Sequence, residues 1–127
     1  MNDRLQKGYM TDAGIDIVMD KPVTFQPHAM TVIDLNISIT PDEDEAIIIV
    51  PRSSWAAKGI IICNCPIDPG YTGMIHGIVY NGSDTELRCN KGEAFCQFMI
   101  IKIRTIKDVK IKKEGKRGNH SFGSTDA

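Results

Sequence analysis

Hydrophobic and polar residues alternate along much of this chain with a period of two, which is typical of β-strands. The clearest example is segment 30–40. Its apolar positions, expected to face inward, are Ile33, Leu35, Ile37 and Ile39. Because successive side chains of a strand point to opposite faces of its sheet, this segment predicts a half-buried antiparallel strand. Further strands with alternating or apolar patterns are predicted in segments 15–19, 46–50, 60–63, 74–81, 87–103 (two strands broken at 90–92) and 109–113.

One segment between these strands predicts a short helix. Residues 55–58 can supply about one and a half helical turns, with Ser53 or Ser54 as the N-cap and Gly59 as the stop signal. The apolar run that follows, 60–63, is expected to be a fully buried strand. Since no long helix is predicted anywhere, the fold class is all-β, a β-sandwich or jelly roll with one short helix.

Composition and charge narrow the class of protein. The 127 residues are 42% hydrophobic and 24% charged, which predicts a single globular domain. A net charge of -1 gives no reason to expect a nucleic-acid or membrane partner. No apolar run approaches the roughly 20 residues of a membrane helix, and the polar amino terminus lacks a signal-peptide core, so a cytoplasmic location is expected. The four cysteines match no zinc pattern and are expected to be small buried hydrophobic residues.

Segment 67–73 (IDPGYTG) combines a carboxylate, an aromatic ring and several turn formers. Pro69 fixes φ and Gly70 permits a positive φ, so a tight turn is predicted. Asp68 at the rim of such a turn, three residues before Tyr71, is well placed for chemistry. Taken alone, a segment of this kind more often has a purely structural role, in which Asp68 caps the turn and Tyr71 covers the edge of the core.

Three other features indicate binding chemistry. Arg52, Ser53 and Ser54 at a helix start could bind an anion, although ordinary capping explains them as well. Gly14 between two carboxylates suggests that the backbone approaches another group closely there. Gln97 lies in an apolar run, and because a buried unpaired amide is costly, it needs a partner or a ligand.

The last residues, 115–127 (GKRGNHSFGSTDA), have the composition of a flexible tail. Their arginine, hydroxyl and glycine groups could nevertheless wrap a phosphate, and the phenylalanine could stack on a base, with the segment ordering on binding. The predicted organisation is therefore one β-sandwich domain, 1–114, followed by a flexible tail, 115–127, that closes over the active site.

Taken in order, five segments resemble the five motifs of the trimeric dUTPase family, across about residues 12–125. They are 12–17 (DAGIDI), 51–59 (PRSSWAAKG), 67–73 (IDPGYTG), 92–98 (GEAFCQF) and 117–125 (RGNHSFGST). Each is weak alone, but five in the family's order with compatible spacing form a strong resemblance. The resemblance implies a jelly-roll subunit of the β-clip type, a homotrimer with active sites shared between subunits, and Mg²⁺-dependent hydrolysis of dUTP to dUMP and pyrophosphate.

The resemblance also implies roles for individual residues. Asp68 would be the general base that activates a water for attack on the α-phosphorus, and Tyr71 would pack against the deoxyribose. The hairpin around residues 64–77, with Asn64, would read uracil. The other substrate-binding residues, supplied by a neighbouring subunit or by the tail of a third, would be Arg52, Ser53, Ser54, Gln97, Arg117, Phe122, Gly123, Ser124 and Thr125. Mg²⁺ would be held through the substrate phosphates, and Asp16 would help to position its water shell.

Two alternatives share this fold. A dCTP deaminase has a similar IDPG turn but is expected to carry a catalytic glutamate in the next strand, where this chain has Ile78. A regulatory or nucleotide-binding protein of the dUTPase fold is the other alternative, and the intact Asp68, Arg52, Gln97 and Arg117 argue for an active enzyme instead. A generic β-sandwich interaction domain would not explain the tail.

Overall fold

The structure, a computed structural model, describes residues 3–10 and 12–104. This part of the chain contains nine β-strands and one short helix, which confirms the all-β class. In chain order they are β1 (Leu5–Gln6), β2 (Ile15–Ile17), β3 (Val23–Phe25), β4 (Met30–Asp34), β5 (Glu45–Pro51), α1 (Ser53–Ala56), β6 (Ile60–Ile62), β7 (His76–Asn81), β8 (Leu87–Cys89) and β9 (Cys96–Lys102). The predicted strand 109–113 and the tail 115–127 lie outside the described residues.

The strands form three antiparallel sheets. The first has the order β1-β2-β9-β5, the second β4-β7-β6, and the third pairs β3 with β8. The long strands β5 and β9 lie side by side over seven residues each, and an isolated bridge between Ile47 and Ile67 joins β5 to the segment after β6. Within the described ranges, no helix has the length and apolar character needed to span a membrane.

One hydrophobic core receives side chains from all three sheets. Phe95 lies in it between Phe25 and Trp55, with both ring pairs in edge-to-face geometry at centroid distances of 5.1 and 6.4 Å. Leu35 and Val79 are completely buried beside them. Sheets that bury one face each against a shared core give the predicted sandwich, or jelly-roll, architecture.

The strand predicted over residues 30–40 is shorter than its hydrophobic pattern. β4 ends at Asp34 because Asn36 adopts a positive φ of 55°, and the Asp34 carboxylate accepts a hydrogen bond from the Asn36 amide at 2.8 Å. Leu35 and Ile37 are nevertheless buried, since their backbones still bond to Ile75. The inward positions were therefore predicted correctly and the strand length was not.

The short helix begins at Ser53, two residues earlier than the predicted segment 55–58. Arg52, with extended backbone angles, is the N-cap, and its carbonyl accepts the amides of Trp55 and Ala56 at 2.9 Å. The prediction that Ser53 or Ser54 caps the helix is wrong, because both lie within its first turn and no side chain caps it. Gly59, at a φ of 109°, ends the helical turns as predicted.

β6 and the cysteines differ from the prediction in the same region. Segment 60–63 is not fully buried, because only one face of it meets the core: Ile60 is buried, whereas Ile61 on the other face is 52% exposed. Cys63 and Cys65 are exposed as well, so the prediction of buried cysteines is wrong for these two. It is confirmed for Cys89 and Cys96, where burial raises the thiol pKa values, that of Cys89 to about 11.

The side chain of Arg4 helps to fasten the amino-terminal strand to the rest of the molecule. Its guanidinium donates hydrogen bonds to the carbonyls of Val18, Leu35 and Asn36 at 2.6–3.1 Å. It also lies 3.7 Å from Asp20, whose pKa is lowered chiefly by a hydrogen bond from Asn36 and further by Arg4. β1 is thereby held along the outer edge of β2.

Asn81, at the end of β7, is the buried polar side chain that joins three parts of the fold. Its amide nitrogen donates to the carbonyls of Phe25 and Thr85 at 3.0 and 2.8 Å. Its oxygen accepts from the backbone amide and hydroxyl of Ser83 at 2.9 and 2.8 Å. We expect Asn81→Ala to lower the free energy of unfolding by about 3 kcal/mol, because several buried polar groups lose their partners together.

Urea denaturation at a fixed protein concentration measures this loss. The matched control is Asn90→Ala, since Asn90 is exposed and its oxygen accepts a bond from the Arg88 side chain. The control is expected to cost less than about 1 kcal/mol. Equal losses in the two variants would show that Asn81 does not hold the fold together.

Candidate active site

The turn predicted at residues 67–73 is present and is tied to the body of the protein. Gly70 has a φ of 80°, as its place in the turn requires, and its amide donates to the Pro41 carbonyl at 3.1 Å. The Tyr71 amide donates to the Asp68 carbonyl at 3.2 Å. Ile67 exchanges two backbone hydrogen bonds with Ile47 of β5 at 2.9 and 3.1 Å. Asp68 therefore projects from backbone that is fixed on both sides.

Tyr71 closes the far end of this turn. Its hydroxyl donates to the Met74 carbonyl at 2.9 Å, and the ring is exposed on its other side. Gly73 makes room for this arrangement, since a Cβ there would collide with the Tyr71 hydroxyl. The hydroxyl is thus used within the turn, and the exposed ring is the part available to a ligand.

The turn forms one wall of a cavity of about 280 Å³, which we call the hairpin cavity. Its lining residues are Asn64, Cys65, Pro66, Ile67, Asp68, Tyr71, Met74, Ile75, His76 and Ile78. Asp68 supplies the carboxylate in a lining that also contains aliphatic side chains and the Tyr71 ring. A concave, largely apolar site with one carboxylate on its wall is typical of a binding site for a small molecule.

Asn64 holds the cavity together through its side chain. Its amide nitrogen donates to the His76 carbonyl at 2.7 Å, and its oxygen accepts from the Ile78 amide at 2.8 Å. These bonds fasten the loop after β6 to the edge of β7, so that the backbone of β7 forms a wall of fixed shape. The predicted contact of Asn64 with uracil stays a prediction.

Three of the other predicted segments meet at a second cavity of about 400 Å³, which we call the polar cavity. Its lining residues are Gly8, Tyr9, Asp12, Ala13, Gly14, Asp16, Arg52, Ser53 and Gln97. Arg52 Nε lies 3.3 Å from an Asp16 carboxylate oxygen, and the guanidinium remains half exposed. A cation that is held in place by one carboxylate and still reaches solvent is suited to bind an anion.

Gln97 and Gly14 fit together within this cavity. The Gln97 amide donates to the Pro51 carbonyl at 3.2 Å, which supplies the partner that its apolar surroundings require. A Cβ at Gly14 would collide with the Gln97 side-chain oxygen, so the close approach predicted at Gly14 is confirmed. In the sheet, Gln97 lies opposite Asp16 on one side and Val50 on the other.

We expect Gly14→Ala to lower the free energy of unfolding by about 2 kcal/mol, because the new methyl group displaces Gln97. The φ of Gly14 is not positive, so the loss arises from the collision alone. Urea denaturation of four proteins tests this: the parent chain, Gly14→Ala, Gln97→Ala and the double variant. Gly14→Ala is expected to cost under about 1 kcal/mol when Gln97 is already alanine, and strict additivity would contradict this explanation.

The two cavities share no lining residue. β5 separates them, since Ile47, which bridges to Ile67, and Arg52 are five residues apart in the chain, or about 16 Å along an extended strand. Within one chain, the predicted site residues therefore form two separate sets. The hairpin cavity is lined by Asp68 and Tyr71, and the polar cavity is lined by Asp16, Arg52, Ser53 and Gln97. Ser54 lies in α1 and lines neither cavity. The predicted tail residues Arg117, Phe122, Gly123, Ser124 and Thr125 lie outside the described residues.

Sequence reasoning missed two side chains that line these cavities. Tyr9 lies on the wall of the polar cavity, within an amino-terminal segment that shows no periodic pattern. His76 lies on the wall of the hairpin cavity, and the alternation of the predicted strand indicated only that it shares a face with Ile78 and Tyr80. For Tyr9 the hydrophobic pattern contains no signal, because its position depends on side-chain bonds within a turn.

Comparison with known proteins agrees with these observations. A family model described as dUTPase matches residues 3–126. The deoxyuridine 5'-triphosphate nucleotidohydrolase of Clostridium tetani is 34% identical over 126 residues, which is 94% of this chain and 86% of that protein. The Pol polyprotein of ovine maedi visna related virus is 31% identical over 118 residues; the match spans 91% of this chain but only 11% of the polyprotein.

A solved structure of EIAV dUTPase shows the same fold. It superposes with a TM-score of 0.79 at 21% identity, and the match covers 91% of this chain and 96% of that one. The match of the family model spans nearly all of the sequence, and the clostridial relative is covered over most of its own length. The chain therefore belongs to the dUTPase family.

Proposed function

We propose that this chain hydrolyses dUTP to dUMP and pyrophosphate. The observation that carries the proposal is the hairpin cavity, where Asp68 and Tyr71 stand on a rigid turn in a chain of the dUTPase family. The names of its relatives support the same substrate, since the clostridial protein is named for deoxyuridine triphosphate hydrolysis. Ile78 at the position where a deaminase would carry glutamate agrees with hydrolysis of the phosphate chain and not of the base.

Asp68 acts as the general base in this proposal. Its carboxylate accepts a proton from a water molecule as the water oxygen bonds to the α-phosphorus. The bond between the α-phosphorus and its bridging oxygen to the β-phosphate breaks, and pyrophosphate leaves. Because the turn is anchored at Ile67 and Gly70, the carboxylate is held in place before the substrate arrives.

The hairpin cavity reads the base and the sugar. The backbone of the hairpin 64–77, whose two ends are tied together by the Asn64 side chain, would bind uracil and leave no room for a methyl group on the base. The exposed ring of Tyr71 packs against the deoxyribose and excludes a 2′-hydroxyl. Both selections depend on rigid walls, because a yielding wall would admit thymine and ribose.

The polar cavity supplies the phosphate contacts, and it comes from a neighbouring subunit. Arg52, Ser53 and Gln97 provide a cation, a hydroxyl and an amide. They are too far along β5 from the hairpin cavity of their own chain to reach an α-phosphorus placed beside Asp68. A homotrimer in which each site joins the hairpin cavity of one subunit to the polar cavity of the next removes this difficulty.

Mg²⁺ fits this site as an ion carried by the substrate. Among the described residues, no group of three or more His, Cys, Asp or Glu side chains could hold a metal ion. Magnesium commonly keeps several waters and binds substrate phosphates, and Asp16, beside Arg52, can accept hydrogen bonds from such waters. When bound, the ion would neutralise charge on the phosphates.

The tail 115–127 completes the proposal as a cover contributed by a third subunit. Phe122 would stack on uracil, and Arg117, Ser124 and Thr125, with the backbone at Gly123, would bind the γ-phosphate. Exclusion of water by this cover would strengthen the other electrostatic contacts. A cytoplasmic location stays a prediction.

A pyrophosphate-release assay with Mg²⁺ tests the function directly, with dUTP, dCTP, dTTP and UTP supplied in parallel. We expect release from dUTP alone, which would establish the reaction, the base and the sugar together. Release from dTTP or UTP at a similar rate would contradict the proposed walls of the hairpin cavity. Binding of dUTP without release would favour a regulatory nucleotide-binding protein.

A further inference from the structure

A tight turn near the amino terminus fixes the position of Tyr9. The Tyr9 amide donates to an Asp12 carboxylate oxygen at 2.8 Å, and the Asp12 amide donates to the Tyr9 carbonyl at 3.1 Å. Gly8 permits this arrangement, because a Cβ there would lie 2.9 Å from the same carboxylate oxygen. Lys7 adds a bond to the Met10 carbonyl at 3.1 Å. The turn is therefore closed by reciprocal bonds and by a glycine that leaves space for them.

The turn places Tyr9 on the wall of the polar cavity, together with Arg52, Ser53 and Gln97. Tyr9 is 76% exposed, so its ring with a polar tip is accessible to solvent in a cavity whose lining also contains a cation. Met10, next in the chain, is 90% exposed but lines neither cavity. The position of Tyr9 is thus specific to the cavity, and Met10 provides an internal comparison.

The charges of the polar cavity explain why a neutral donor would be useful there. Its lining contains the Arg52 cation and the carboxylates of Asp12 and Asp16. The Asp16 carboxylate pairs with Arg52. A triphosphate brings several negative charges into this lining. Hydroxyl and amide donors satisfy phosphate oxygens without repulsion, and hydrogen bonds to charged acceptors are among the stronger ones.

We propose that Tyr9 is a further substrate-binding residue, whose hydroxyl donates a hydrogen bond to the β- or γ-phosphate of the nucleotide in the polar cavity. This rests on the proposed function, in which the α-phosphate lies beside Asp68 and the remaining phosphates extend into the polar cavity. Asp12 is then a positioning residue, since it holds the turn and not the nucleotide.

The variant Tyr9→Phe tests the proposal because it removes only the hydroxyl. We expect the KM for dUTP to rise about tenfold to a hundredfold, the loss typical of one hydrogen bond to a charged group. The dissociation constant of a dUTP analogue with an imido bridge between the α- and β-phosphates is expected to rise by the same factor. The dissociation constant of dUMP, which lacks the β- and γ-phosphates, is expected to stay unchanged, and Met10→Ala should leave all three quantities unchanged.

The outcomes separate this inference from the proposed function. If the parent chain hydrolyses dUTP and Tyr9→Phe binds the analogue equally well, the inference about Tyr9 is wrong and the function stands. If the affinity for dUMP falls as much as that for the analogue, Tyr9 acts through the fold and the inference is wrong again. If the parent chain neither hydrolyses dUTP nor binds the analogue, the proposed function is wrong, and the inference about Tyr9, which rests on it, is wrong as well. The variant Asp12→Ala should show the same loss of affinity for the analogue as Tyr9→Phe, and the double variant should lose no more than either single variant.

Discussion

Asp68→Asn is expected to lower kcat for dUTP by about a thousandfold while the dissociation constant of dUTP stays within about threefold of the parent value. Asparagine has the shape of aspartate, and the turn is held by the backbone of residue 68, whose carbonyl accepts the Tyr71 amide. The cavity should therefore keep its form and lose only the group that accepts the proton. Pyrophosphate release measures kcat, and calorimetric titration of the variant with dUTP measures binding.

A matched control is Asp84→Asn, which makes the same chemical change on a side chain that is 95% exposed and lines neither cavity. We expect its kcat to stay within about twofold of the parent value. A kcat for Asp68→Asn close to that of the control would remove Asp68 from the role of general base. A large loss of dUTP binding in Asp68→Asn would instead assign the residue to the shape of the turn.

The second large effect concerns the division of the site between subunits. Arg52→Ala removes the cation from the polar cavity and leaves Asp16 without its partner, so we expect a loss of about a hundredfold or more in kcat/KM. When Arg52→Ala and Asp68→Asn chains are unfolded together and refolded as a one-to-one mixture, activity should return to about a quarter of the parent value, because in random trimers that fraction of sites joins two intact halves.

The controls for this experiment are each variant refolded alone, and a mixture of the two made without unfolding. All three are expected to stay near the low activity of the single variants, because chains exchange only when trimers dissociate. If the refolded mixture gains nothing while light scattering reports about three chains per particle, the complete site lies within one chain. A monomer in light scattering would contradict the shared site directly.

The sequence predicted the parts of the fold that depend on local periodicity and turn chemistry. The strand pattern predicted for segment 74–81 agrees with the burial of Ile75 and Val79, and Gly70 has the positive φ that its turn was predicted to need. Gly14 and Gln97 were recognised singly, one as a close approach and the other as an amide that needs a partner. Both predictions express a local steric or polar requirement, which a sequence displays directly.

The failures have a different physical origin, because they depend on contacts between distant segments. Cys63 and Ile61 are exposed because they lie on the face of their segment that points away from the core, and which face of a sheet is covered is not a property of the segment itself. β4 ends early because Asn36 adopts a positive φ and bonds to Asp34, against the apolar pattern around it. Tyr9 was missed because its place depends on the Asp12 carboxylate and on the cavity beyond it.

The bonds made by Arg4 have a consequence for how the protein behaves at high concentration. β1 contains two residues, yet it covers the outer edge of β2, and beyond β2 lie the long apolar strands β5 and β9. If the guanidinium released the carbonyls of Val18, Leu35 and Asn36, β1 would depend on its short backbone pairing with β2 and on the packing of Leu5, and the edge of β2 would face solvent whenever that pairing opened. Such an edge is a template for pairing with other chains, so we expect Arg4 to help protect the protein against edge-to-edge aggregation.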